Sequence, residues 1–175
     1  MATACASRSS APRDLLIREL SPSQRAVLPF VFERLGARSR RQRFLGAKQR
    51  LHDREIGRLI DVDHWHREAL VAWTPVPRAP VAVARYMRRE EFDRAELAIA
   101  VVDEWQRRGV GRALLLALAG RALGAGIRHL HFSTLADNRG AVALARHAGA
   151  VQLVDLDGGV AEMVVDIGWG TRQLE

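Results

Sequence analysis

Leu97-Ala98-Ile99-Ala100-Val101-Val102, then Asp103-Glu104-Trp105, then Gln106-Arg107-Arg108-Gly109-Val110-Gly111-Arg112, is the stretch that decides the fold. The apolar run reads as a buried strand, and Ala113-Leu114-Leu115-Leu116-Ala117-Leu118-Ala119 beyond the glycines reads as a helix. A short glycine-bearing loop therefore joins a strand to a helix N-terminus. The first N–H groups of a helix have no intrahelical acceptor, and the macrodipole makes that end positive. Glycine lets the chain bend tightly and lets a ligand approach with no Cβ in the way. With Arg107, Arg108 and Arg112 alongside, the loop suits a phosphate or pyrophosphate, and hence an anionic cofactor.

Upstream, Leu15 to Leu20 reads as a strand stopped by Ser21-Pro22-Ser23, with Ser23 capping a helix that runs to about Leu35. The basic stretch from Ala37 to Arg50 reads either as a solvated helix or loop with one buried edge, or as a wall of a substrate cleft. Asp53 to Ile60 predicts a short helix with Ile56, Leu59 and Ile60 inward. Asp61-Val62-Asp63-His64-Trp65-His66 carries ligand-type side chains, but the spacing matches no zinc pattern, so a loop and no metal are expected. Ala69 to Trp73 and Pro80 to Tyr86 form a hairpin around Thr74-Pro75-Val76-Pro77, and Arg88-Arg89-Glu90-Glu91 is an exposed tip. Ala95-Glu96 then opens the strand that feeds the loop.

Downstream, the helix extends to about Leu123 and is ended by Gly124-Ala125-Gly126. Ile127 to Thr134 is a strand, and Asp137-Asn138 caps a helix from Arg139 to His147. Two last strands, Ala150 to Val154 and Val160 to Ile167, flank Asp155-Leu156-Asp157-Gly158-Gly159, where aspartate before glycine signals a hairpin. The fold class expected is α/β (α+β), a mixed sheet covered by helices, with a helical crossover from the strand ending at Val102 to the one starting at Ile127.

A chain of 175 residues with 48% apolar content suffices for one domain: a leader over residues 1–12, the domain over 13–170 and a tail over 171–175. No apolar run approaches the ~18–20 residues of a membrane span, and Met1 to Arg13 lacks the apolar segment of a signal peptide, so a cytoplasmic location is expected. Cys5, the single cysteine, sits in the leader and can form no internal disulfide. The net charge of +7 rests on arginine, since Lys48 is the one lysine, and it suits polyanions in general.

Two nucleotide loops are excluded by named residues. A Walker loop ends in lysine and a hydroxyl residue, and neither is present. A dinucleotide fingerprint needs a third glycine where Leu114 stands, and an acidic residue about 20 positions on, where none occurs between Glu104 and Asp137. Val101 to Gly111 instead resembles the coenzyme A loop of the GNAT acetyltransferases, a Gln/Arg-x-x-Gly-x-Gly/Ala pattern after a strand. Asn138-x-x-Ala141-x-x-Leu144, followed by Gly149, resembles the second segment of that family. More narrowly, Arg85-Tyr86, Ala95-Glu96-Leu97-Ala98, Gly126-Ile127-Arg128 and Leu135-Ala136-Asp137-Asn138 are similar to the catalytic domain of bacterial Pat-type protein lysine acetyltransferases.

The resemblance implies a mostly antiparallel central sheet with a splayed parallel strand pair and helices on both faces, and acetyl transfer from acetyl-CoA to an amine. It implies that backbone N–H groups of the loop Gln106, Arg107, Arg108, Gly109, Val110, Gly111 and Arg112 hold the pyrophosphate. The strand before the loop is implied to bulge and splay, so that Ile99 and Val101 pair with the pantetheine arm, Val101 N–H polarises the thioester carbonyl and Asn138 bonds the arm. Glu96 matches the general base, acting through water, although other branches place the base where this chain has Ala95. The tyrosine that protonates the leaving thiolate in many members is replaced by Ala145, with His131, Ser133 and Thr134 as weaker substitutes.

The acceptor class expected is a protein lysine or N-terminus, with a small-molecule amine as the rival and a homodimer left open. A catalytically silent acetyl-CoA-binding module is the alternative from a different class. Nucleic-acid binding by the arginines is not expected, because no helix-turn-helix spacing and no aromatic platform accompany them.

Overall fold

Strand and helix periodicities close into one seven-stranded sheet with helices packed on it. The computed structural model describes residues 15–168; the expected leader with Cys5 and the expected tail lie outside the described residues. The strands are β1 (Leu16–Glu19), β2 (Arg67–Trp73), β3 (Pro80–Arg88), β4 (Arg94–Val101), β5 (His129–Leu135), β6 (Ala150–Asp157) and β7 (Val160–Asp166). The helices are α1 (Val27–Glu33), α2 (Ala37–Phe44), α3 (Asp53–Ile60), α4 (Val110–Gly124) and α5 (Arg139–Ala145). The order across the sheet is β1-β2-β3-β4-β5-β7-β6, and β4–β5 is its one parallel pair. α4 is the crossover between those two strands, the connection that a parallel pair requires.

Side-chain parity along β4 assigns the helices to faces. The Val101 side chain lies against α4, 3.5 Å from where a Cβ of Gly111 would be. Ala98 and Ala100, of the opposite parity, line a pocket with residues of α1 and α2. α4 is the main buttress: Leu114, Leu115, Leu118 and Ala122 are fully buried in the same cluster as Val71, Val81 and Leu130. Burying each such leucine contributes about 1.5–3 kcal/mol.

Several local details differ from the sequence expectations. Ser21, not Ser23, is the cap: its hydroxyl accepts from Ser23 N–H, and the Gln24 side chain returns to Ser21 N–H at 3.0 Å. That box, with Pro22 in the first position, stabilises a single 3-10 turn, so α1 starts later at Val27 without a side-chain cap. Arg88 is no solvent tip, because it lies over the Phe92 ring at 4.4 Å and donates to the Ala125 carbonyl just beyond α4 at 2.7 Å. The last hairpin is tighter than the five-residue connection expected. Gly158 (φ 52°) and Gly159 (φ 80°) carry the turn alone, the left-handed pair that a two-residue hairpin demands.

Candidate active site

β4 and β5 pair only at one end. Arg94 faces His129, Ala95 faces Leu130 and Glu96 faces His131, and beyond Glu96 the two strands diverge. On its other edge β4 stays in register with β3, from Arg88–Ala95 to Ala82–Val101. Val102 N–H donates to the Val81 carbonyl at 2.9 Å, which makes Ala82–Val101 a non-hydrogen-bonded pair of that ladder; by alternation Ala84–Ile99 is another. The peptide groups of Ile99 and Val101 therefore point away from β3, into the gap that β5 has left. The splay implied by the family resemblance is present. The bulge implied with it is not, since the β3–β4 register runs through without a shift. No bulge is needed, because ladder parity alone turns the right peptide groups outward.

The loop after β4 is a 3-10 turn over Asp103–Trp105, followed by a left-handed Arg107 (φ 59°) and a left-handed Gly109 (φ 79°) that serves as the N-cap of α4. The first helical bond is Ala113 N–H to Gly109 C=O at 3.0 Å, so the N–H groups of Val110, Gly111 and Arg112 precede the ladder and face outward. The Val110 side chain is fully buried, leaving only its backbone for a ligand, while Arg107, Arg108 and Arg112 are exposed around the helix mouth. A Cβ on Gly111 would touch Leu144 and Val101 in ordinary contact, so this glycine fits α4 closely against α5 and β4 and does not face the anion side.

Gln106 acts as a strut. Its Nε2 donates to the Val101 carbonyl (3.0 Å), Ser39 Oγ (3.0 Å) and Asp103 Oδ1 (3.1 Å), tying the loop to β4 and α2. Arg34, at the C-terminus of α1, adds an ion pair at 2.6 Å to Glu104 of the loop. Asn138 caps α5, its Oδ1 accepting from Ala141 N–H at 3.2 Å, which leaves the amide nitrogen for a second partner. The gap, the helix mouth and the three exposed arginines together fit an extended acyl-CoA: a polar arm alongside β4 and a pyrophosphate at the N-terminus of α4.

The opposite face of β4 carries Glu96. Ala95 is fully buried and shares parity with Val101 on the α4 face, whereas Glu96 is exposed and shares parity with Ala98 and Ala100. His131, its partner on β5, has a buried Nε2 with no hydrogen bond. Burial first, and then the charges of Arg89 and Arg94, push the His131 imidazole below the ordinary histidine range. Thr134 is buried with its hydroxyl unpartnered, but it has the parity of Leu130 and so lies on the α4 face. Tyr86, the one tyrosine, pairs with Leu97 on that same α4 face. Its hydroxyl donates to the Trp65 carbonyl at 3.3 Å, and burial, then Glu68, pushes its pKa up to about 12. It lies on the face of the sheet opposite Glu96. Ala145, at the family tyrosine position, is buried.

Two residues of this face were given no site role by sequence, although Arg85 lies in one of the segments that carry the family resemblance. Arg43 of α2 and Arg85 of β3 line a pocket, partly open to solvent, between β3–β4 and α1–α2. Of the basic stretch, Arg43 and Phe44 line that pocket while no residue of α2 is fully buried, and nothing local marks Arg43 among its neighbours as the inward residue.

The Asp61–His66 stretch is a loop held by Asp63, whose Oδ1 accepts from the N–H groups of Trp65, His66 and Arg67 at 2.7–2.9 Å. Burial raises the Asp63 carboxyl, but these three donors and Arg67 outweigh it and hold the group well below the usual carboxylate range. His64 lies beside Glu68 and Glu19, with ligand atoms within 4.8 Å of one another. Arg121 already reaches both carboxylates, at 2.6 Å to Glu19 and 3.8 Å to Glu68, supplying the cation of that cluster.

The chain matches the acetyltransferase (GNAT) family over residues 37–150. Among solved structures it is similar to the GNAT domain of S. lividans PAT, with TM-score 0.78 and 24% identity over 93% of this chain and 99% of that one. The ribosomal-protein alanine N-acetyltransferase from Escherichia coli gives TM-score 0.67 and 20% identity, covering 87% and 94% of the two chains. The spermidine N-acetyltransferase from Vibrio cholerae, solved with CoA and spermine, gives TM-score 0.67 and 13% identity, covering 90% and 98%. No curated protein matches the chain in sequence. Among the described residues no helix is long and apolar enough to cross a membrane. With the family match spanning well over half its length, the chain belongs to the GNAT family of acetyltransferases, the class of acyl-CoA-dependent transferases.

Proposed function

We propose that the chain moves an acetyl group from acetyl-CoA to a primary amine of a protein, a lysine or an N-terminus, with Glu96 as general base. The observation that carries this reading is the divergence of β4 from β5 just after the Glu96–His131 pair. It leaves the polar groups of Ile99 and Val101 unpaired by β5 at the point where Glu96 opens onto the other face. Glu96, directly or through water, takes a proton from the acceptor ammonium, the amine nitrogen forms the new C–N bond and the thioester C–S bond breaks. Val101 N–H faces the carbonyl oxygen as charge develops there. The nitrogen sheds its second proton as the C–S bond breaks, and the thiolate, with a free-thiol pKa of ~8.5, takes up a proton through solvent, as Ala145 offers none; the proton first taken by Glu96 returns to bulk water.

The similarity to the Escherichia coli ribosomal-protein alanine N-acetyltransferase supports a protein acceptor, as does the Pat-type resemblance of the catalytic segments. The largely apolar, partly open pocket on the Glu96 face favours the second reading, a small-molecule amine. Thermal shift with acetyl-CoA against ATP and NAD, followed by CoA release with lysine peptides, N-terminal peptides and small amines, tests the proposal. A shift specific to acetyl-CoA and turnover with one class are expected. Binding without turnover of any amine would leave only the silent acetyl-CoA module.

A further inference from the structure

The pocket beside Glu96 holds more positive charge than the transfer of an acetyl group to a plain amine uses. Arg85 stands directly across from Ala98 in the β3–β4 ladder, which makes Glu96 its diagonal neighbour on the same face. Arg43 enters from α2 and lines the same pocket, stacked over the Phe44 ring at 4.9 Å. The rest of the lining is apolar, contributed by residues such as Leu28, Val31, Leu35 and Leu59.

The two guanidiniums are poorly compensated. Neither takes part in an ion pair among the described residues. Burial, then the repulsion of Arg85, pushes Arg43 down to about 10, with Glu96 pulling the other way. Burial also lowers Arg85, against the attraction of Glu96; Arg67 lowers it further, and Asp61 opposes that. Asp61, however, already pairs with Arg67 at 2.6 Å, so the two largely cancel as seen from Arg85. Both pocket arginines remain charged at neutral pH, and one carboxylate, Glu96, faces both. One carboxylate facing two half-buried cations leaves positive charge unmatched, and the fork of a guanidinium matches the two oxygens of an oxyanion.

We propose that the acceptor amine carries an oxyanion group, in the simplest case a carboxylate, which Arg43 and Arg85 hold in the pocket while the amine faces Glu96. Two sources present that chemistry: a small apolar amino carboxylate, or a peptide amine next to an acidic side chain. A polyamine, or an amine among basic residues, meets two cations and is excluded by the same field. The inference rests on the acetyl-transfer reading for the amine, but the anion site it names is testable by binding alone.

The test uses the full chain with CoA bound and pairs of ligands that differ only in charge. One pair is phenylalanine and phenylalaninamide; the other is a lysine peptide with glutamate beside the lysine and its glutamine twin. In at least one pair the carboxylate partner is expected to bind about tenfold tighter by thermal shift or calorimetry, and to be turned over with correspondingly higher kcat/KM. The amide has the more acidic ammonium and thus more free amine, which biases against this outcome. Arg85→Gln and Arg43→Gln should each reduce the preference to under about threefold while the acetyl-CoA shift stays at its wild-type value. Which pair shows the effect identifies the source. Equal binding within both pairs, a preference that survives in both variants, or tighter binding of spermine would overturn the proposal. Carboxylate-selective binding with no turnover of any amine would uphold the anion site and refute the transferase reading instead.

Discussion

Glu96→Gln tests the base directly, although it also removes the one carboxylate that faces Arg43 and Arg85, so the pH dependence of the loss is what identifies the base. The substitution keeps the shape of the side chain and leaves the β4 backbone, which faces both the gap and β3, untouched. Glu96 is exposed, so the change creates no cavity and no buried polar group. A lysine amine of pKa ~10.4 is free in only about one part in 10³ near pH 7.4, and withdrawing its proton costs about 4 kcal/mol. A positioned base recovers about 10²–10⁴-fold of that. The expected result is a fall in kcat/KM of about 10²–10³ at pH 7 with an unchanged acetyl-CoA thermal shift. The deficit should narrow to under about tenfold near pH 10, where solution supplies the free amine without help. Steady-state CoA release across that pH range is the assay. A variant within about threefold of wild type at pH 7, or a loss equally deep at both ends, would show that Glu96 is not the base.

Gly109→Ala places a Cβ at a left-handed φ of 79° and should cost about 1–2 kcal/mol of stability and weaken acetyl-CoA binding. Gly111→Ala, whose added methyl meets only ordinary contacts on the inner side, should leave both within about 1 kcal/mol of wild type; calorimetry and acetyl-CoA titration separate the two. His131, whose folded pKa is lowered by burial, contributes stability that is present above the free value of ~6.5 and is lost as pH falls from there toward its folded pKa. His131→Gln should therefore flatten part of the drop in Tm between about pH 7 and pH 5, and a chemical-denaturation series over that range would detect a failure to do so. Leu118→Ala, at a fully buried position of α4, should cost about 2–5 kcal/mol by denaturant unfolding, with the m-value retained.

Much of the donor half of the site was legible because it is local. The strand, the loop and the helix from Leu97 to Ala119 are contiguous, and their periodicity and glycines specify a helix N-terminus ringed by arginines without help from distant residues. The Asn138 cap was readable for the same reason, as it lies next to the helix it starts. Short capping and turn details were less so: Ser21 and Ser23 are both good caps, and only the geometry of Pro22 and Gln24 decides between them.

The acceptor half was decided by tertiary structure. Whether Glu96 or Ala95 faces outward depends on strand parity, which the alternating burial of β4 settles once β3 and α4 are in place. The gap beside Ile99 and Val101 exists because β5 parts from β4 after Glu96, a property of pairing between strands separated by a whole helix, with no signature in either one. Arg43 and Arg85 lie more than 40 residues apart in the sequence and meet only because α2 folds over the β3–β4 ladder. The sequence by itself determined where an anionic cosubstrate can sit, since backbone turns and helix ends are short-range. Only the packed sheet decided which charges look into the pocket proposed for the acceptor, since burial and charge pairing belong to the whole fold.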